Sequence, residues 1–186
     1  MGLDIYFHRI KNGNATVTKK FAEFWQQFND EAPLADTEKF AKELGIADRI
    51  KLTDKPYSYT DEQGEEKESR YTEVERTDQE EVAYFRKHNH LVEFFGYEDN
   101  CSNIVISKSQ IEDCISACKT VLEHYGKNDF EDIAEEMMPT SSGFFFGSTE
   151  YDEYYKDKLE DDVKQFEKIL KETDWNTDQI EMHCWW

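Results

Sequence analysis

Leu3, Ile5 and Phe7 alternate with Asp4, Tyr6 and His8, the period-two pattern of a strand with one buried face. Lys11-Asn12-Gly13-Asn14 supplies the turn residues that end it. Phe21, Phe24, Trp25 and Phe28 then recur at helical spacing, with Thr16 or Thr18 as the cap and Pro33 as the stop. A second short helix is predicted from Asp36 or Thr37 through Phe40, Ala41 and Leu44 to a left-handed Gly45. Over 49–76 the pattern is polar and strand-like. Tyr57 and Tyr59 alternate, Tyr71, Thr72 and Val74 follow, and 61–68 with Gly64 lies between. This predicts a partly exposed hairpin with an acidic tip. The alternative is a disordered loop whose like charges repel.

Residues 79–95 return to a helical period. Phe85, His88, Val92 and Phe95 share one predicted face, with Tyr84 and Leu91 beside it; Arg86, His90 and Glu93 take the other, with Asn89 at the boundary. The run NIVIS at 103–107 predicts a short buried strand, and Ser107 with Gln110 forms a capping box. The helix it opens carries Ile111, Cys114, Ile115, Cys118, Val121, Leu122 and Tyr125 on one face. A short helix over 129–138 ends at Pro139, and Gly143 and Gly147 bracket a predicted Phe144-Phe145-Phe146 strand. Ser148 or Thr149 caps the last helix, striped by Tyr151, Tyr155, Leu159, Val163, Phe166 and Leu170. Residues 180–186 predict a closing strand.

Strands and helices mix without regular βαβ alternation, so the predicted class is α+β. Its small mixed β-sheet is backed on one side by the amphipathic helices at 107–125 and 149–171. No repeat and no Pro/Ser-rich linker divides the 186 residues, which read as a single domain with 46–76 as a polar hairpin insertion. Aromatic residues make up 15% of the chain and give large buried areas to an apolar fraction of only 38%. The net charge of −20 repels nucleic acid and anionic membrane, and steers toward a basic protein partner or cations. Its plainest consequence is solubility. MGLDIYFHR has no apolar run of signal or anchor length, so a cytoplasmic protein is expected, with the sequons at Asn14 and Asn100 unused.

Cys101, Cys114, Cys118 and Cys184 are too few and too scattered for a disulfide framework. Cys114, Cys118, His183 and Cys184 are of zinc-ligand type. Both helical cysteines lie on the apolar stripe, however, and His183 and Cys184 point to opposite faces of a strand, so packing is expected and no metal. Cys101 follows Glu98 and Asp99 and lacks the electropositive setting of a reactive thiol. Phosphate loops, GxSxG, HExxH and the EF-hand spacing are absent, so no cofactor is expected. An anion at Gly147-Ser148-Thr149 is opposed by Glu150, Asp152 and Glu153 in the first turn of the predicted helix. What remains is Arg86, Asn89, His90 and Glu93, which share a polar flank of the predicted helix at 79–95. That flank is either a ligand site or a solvated surface with local ion pairs. His88, on the apolar face, is expected to be a hydrogen-bonded core histidine.

Four blocks carry a resemblance: Met1-Gly2-Leu3-Asp4-Ile5-Tyr6, Val82-Ala83-Tyr84-Phe85-Arg86-Lys87-His88-Asn89, the run PTSSGFFFGST at 139–149 continued by Tyr151-Asp152 and Tyr154-Tyr155, and the final Trp186. Together they resemble an uncharacterised family of small bacterial and bacteriophage proteins that begin with an MGLDMY-like run. The stretch 46–76 lies outside these blocks, and the His that the family often carries stands here as Val92. The resemblance implies a bacterial or phage origin and no particular activity. Independently of it, Asp4, the Arg86-Lys87-Asn89 stretch and the Gly-bounded phenylalanines are expected to converge at one edge, with Arg86 partly buried beside Asp4.

With every strong catalytic motif missing, the leading expectation is a non-enzymatic binding or regulatory protein whose acidic surface engages a basic partner. The alternative is a small enzyme or ligand-binding protein with Asp4, Arg86, Asn89 and His90 around an anionic or polar substrate. A structural component of a phage or mobile element is a third class.

Overall fold

β1 (Asp4–Ile10) forms where alternation placed it, with Leu3, Ile5 and Phe7 fully buried. The computed structural model describes residues 2–27, 32–97 and 103–186, and the side chains of 15, 18, 22, 25 and 26 fall outside the description. Phe28, the Asn100 sequon and Cys101 therefore lie outside the described residues, as do the side chains of Thr18 and Trp25. The chain divides into two compact units, Met1–Gly13 with Glu80–Trp186 and, between them in sequence, Asn14–Gln79.

The first unit contains β1, β4 (Gln79–Arg86, but for its first residue), α3 (Asn89–Phe94), β5 (Asn103–Ile106), α4 (Lys108–His124), α5 (Phe130–Met137), α6 (Glu153–Glu172) and β6 (Gln179–Trp185). Its sheet runs β4-β1-β6-β5. β6 pairs antiparallel with both neighbours, Ile5 opposite Cys184 and Ile106 opposite Ile180. The α+β class holds, with antiparallel pairing where a mixed sheet was expected. Phe7 is the hub of the core: its ring meets Phe85 of β4 edge-on at 5.7 Å, Phe95 at 5.6 Å and Phe166 of α6 at 5.1 Å. Such edge-to-face pairs add about 0.5–1.5 kcal/mol each beyond their area. The Ser107–Gln110 capping box opens α4 as expected, and α4 packs on α6, with Ile111, Cys114, Ile115, Cys118 and Val121 buried along its apolar face.

Several local expectations are corrected. Residues 79–95 are not one helix. Val82 to Arg86 alternate part-buried, buried, exposed, buried, exposed as strand β4, and Lys87 turns the chain with φ 60° before the short α3. Gly143 to Gly147 is a tight turn rather than a strand. Phe146 N–H donates to Gly143 O, and a methyl group on Gly143 would come within 2.8 Å of the Phe146 ring. Asp152, not Ser148 or Thr149, caps α6 by accepting from Tyr155 N–H. NIVIS is a sheet-edge strand in which only Ile106 is fully buried.

The second unit holds α1 (Ala15–Gln26), α2 (Leu34–Leu44), β2 (Ile50–Thr60) and β3 (Glu66–Arg76). Asn14 Oδ1 caps α1 by accepting from Thr16 and Val17 N–H, in place of a threonine cap. α1 ends before Pro33, which instead occupies the N-cap of α2 in an extended conformation, while Thr37 is inside that helix. Gly45 is left-handed at φ 70°, as predicted. Phe24 stacks on Phe40 at 4.4 Å, joining the two helices. The hairpin is formed over eleven residue pairs, from Ile50 opposite Arg76 to Thr60 opposite Glu66. Lys51–Glu75, Lys55–Glu73 and Arg70–Asp54 pair across it.

Candidate functional site

Three of the blocks singled out in the sequence do meet at one edge of the first unit. Lys87 N–H donates to Leu3 O at 2.8 Å, and Leu3 N–H donates to Phe145 O at 3.0 Å. Asn89 Nδ2 donates to Ser148 O at 3.0 Å. Backbone bonding thus stitches the start of β1, the turn after β4 and the phenylalanine turn together. Two glycines allow the close approach. A methyl group on Gly2 would stand 3.3 Å from Arg86 Nη2, and one on Gly147, at φ +91°, would stand 3.3 Å from Lys87 Cβ. Phe146 tucks into the core, whereas Phe144 is 95% exposed.

Of the four site residues expected from the sequence, this edge brings Asp4 and Arg86 together and sends Asn89 and His90 inward. Arg86 Nη1 lies 3.7 Å from Asp4 Oδ1, and Tyr84 Oη donates to the same oxygen at 2.5 Å. That hydrogen bond is the main cause of a raised Tyr84 pKa. The Arg86 side chain is 57% exposed and that of Asp4 19%, so the expected buried pair is a surface pair, at the weak end of ion-pair energies. Asn89 and His90 are fully buried at the start of α3. The polar flank expected at 79–95 therefore does not exist, because the strand and the turn at Lys87 separate Arg86 from both.

Beneath the edge is a cluster that sequence reasoning missed. Asp162 sits on the buried stripe of α6, three residues after Leu159 and four before Phe166, and is wholly enclosed. Its Oδ1 is 2.7 Å from His88 Nδ1 and its Oδ2 is 2.5 Å from His90 Nε2. Burial pushes the His90 pKa down against the pull of Asp162. Burial pushes Asp162 up, and the two imidazoles together bring it below the ordinary carboxylate value. The pattern is a neutral His90 beside an ionised Asp162. Among the described residues, His90 Nδ1 and Asn89 Oδ1 are buried without a hydrogen-bond partner. His88 is buried and hydrogen-bonded as expected, with 10% of its side chain still at the surface. The one signal in the sequence was a carboxylate interrupting an apolar helical stripe.

Two lysines complete the edge. Lys158 lies one turn before Asp162 on α6 and is half-buried. Burial lowers its pKa, and the charge of Lys87 lowers it further, partly opposed by Asp152 and Asp162. Lys87 itself is exposed, and among the described residues neither ammonium forms an ion pair. Arg86, Lys87 and Lys158 thus gather positive charge in a chain of net charge −20. The cysteines behave as packing residues: Cys114, Cys118 and Cys184 are buried thiols, and burial raises the pKa of Cys114 and of Cys184. Among the described residues they join no cluster of metal-ligating side chains. No family model, no curated protein and no solved structure matches the chain.

Proposed function

We propose that this is a binding protein for a small anionic ligand, held at the edge where Gly2, Arg86, Lys87 and Lys158 meet. The observation that carries the reading is the Lys87–Lys158 couple, in which neither ammonium forms an ion pair among the described residues. Burial is the main cause of the lowered Lys158 pKa, against the pull of Asp152 and Asp162, and the charge of Lys87 adds a smaller push, in a chain with 42 acidic residues. A multiply charged anion such as a phosphate ester offsets the burial of the Lys158 charge and accepts charge-assisted hydrogen bonds from Arg86 and both lysines. The reading keeps Arg86 and Asp4 from the expected site. Asp4 orients the arginine, and Asn89 holds the Ser148 backbone.

Calorimetric titration of the full chain with inorganic phosphate and with phenyl phosphate tests this. Saturable binding is expected, weakened about 10- to 100-fold by Lys87→Ala or by Arg86→Ala. The protonated Lys158 is the binding form and its pKa is lowered, so affinity falls on the alkaline side before an ordinary lysine would titrate. Absence of saturable binding, or binding undiminished in both variants, overturns the proposal. A bacterial or phage origin belongs to this reading through the resemblance. Cytoplasmic placement is supported by three buried free thiols. Among the described residues no helix is long and apolar enough to cross a membrane. A second reading, an acidic surface that engages a basic protein partner, is favoured by the net charge of −20.

A further inference from the structure

We infer that His88, His90 and Asp162 form a binding site for one divalent transition-metal ion, distinct from the anion-binding edge above it. Each residue offers one ligand atom, and the three atoms lie within 4.8 Å of one another. Two imidazoles and one carboxylate suit a first-row ion such as Zn²⁺, whereas Mg²⁺ and Ca²⁺ prefer sets made of oxygen. For tetrahedral bonds near 2.05 Å the ligand atoms stand about 3.3 Å apart. His88 Nδ1 now stands 2.7 Å from Oδ1 and His90 Nε2 2.5 Å from Oδ2, so each nitrogen moves less than about 1 Å from its own oxygen to reach that spacing, and one of the two oxygens serves as the ligand. His88 follows the turn at Lys87 and keeps part of its side chain at the surface, which gives an ion its way in.

Hydrogen bonding alone does not complete the cluster. With no ion, His90 Nε2 carries the proton shared with Asp162, and Nδ1 is a bare acceptor. The adjacent residue, Asn89, also presents a buried acceptor without a partner, its Oδ1. Two unmet acceptors in a core network are unusual. A metal on Nε2 moves the His90 proton to Nδ1, which becomes a donor, the kind of group that Asn89 Oδ1 lacks. Metal-bound histidines characteristically donate from their second nitrogen. Three protein ligands leave a fourth position open.

The test uses the full chain, stripped with a chelator and titrated with Zn²⁺, with Co²⁺ as the spectroscopic probe. One Zn²⁺ per chain is expected, with affinity at least about 100-fold weaker in His88→Ala and in Asp162→Asn. Co²⁺ should show ligand-field bands without a thiolate charge-transfer band. Arg86→Ala should bind Zn²⁺ normally, which separates this inference from anion binding. If Asp162→Asn fails to fold by circular dichroism, His88→Ala, at the rim, decides. Undiminished Zn²⁺ binding by folded His88→Ala, only weak multiple sites in the parent chain, or a thiolate band from Cys114 and Cys118 would each overturn it.

Discussion

Removing a side chain costs most where the partner it leaves behind has no access to water. His90 and Arg86 lie four residues apart and differ in this respect. His90→Ala takes a fully buried hydrogen bond from an enclosed carboxylate, and such bonds to charged groups contribute about 1.5–3 kcal/mol. Arg86→Ala takes a largely exposed guanidinium from Asp4, which keeps its bond from Tyr84, so stability should change by less than about 0.5 kcal/mol. Urea unfolding of both variants checks the contrast, and a larger loss for Arg86→Ala would contradict the surface assignment. At this scale the sequence was partly legible. The Asp4–Arg86 pairing was anticipated, though as a buried pair. Asp162 was hidden because a stripe shows that a side chain faces inward without showing which imidazoles it meets there.

Elements with an uninterrupted period were read correctly: β1, the hairpin, α4, the stripe of α6 and β6. The failures lie where two periods coincide. Phe85, His88, Val92 and Phe95 do all face the core, but by a strand, a left-handed lysine and one turn of helix in succession, which together mimic a helical repeat. Lysine rarely adopts that backbone conformation, so no glycine flagged the break. The phenylalanine turn was misread because a three-residue apolar run has no period to measure. β1 and β4 are neighbours in the sheet, and Arg9 pairs with Glu80 at 2.6 Å near the ends where the second unit departs. Replacing 14–79 with a short Gly/Asn linker should therefore leave a cooperative urea transition and intact near-ultraviolet circular dichroism. Secondary structure without fixed aromatic signals would instead show that the inserted unit is needed for packing.

For the molecule as a whole, the controlling element is β6. It lies between β1 and β5, and Gln179, Ile180, Glu181, Met182 and Cys184 are all buried along it. A chain ended after Asp178 should bind hydrophobic dye and lose its cooperative transition, because β5 loses its partner and β1 keeps only β4. A sharp melting curve for that truncated chain would contradict this. The β1–β6 pairing also sets a clock during synthesis. Between Ile10 and Gln179, 168 residues must leave the ribosome before β1 meets its partner. At about 5–20 residues per second the interval is on the order of 10–30 s. Through that time one edge of β1 waits unpaired, although β4, Phe85 and Phe95 arrive earlier on its other side, while the unit between residues 14 and 79 can already close on local contacts. The nascent chain is thus expected to depend on chaperones chiefly for the open edge of β1, and a stall late in translation should leave it aggregation-prone however well the middle has folded.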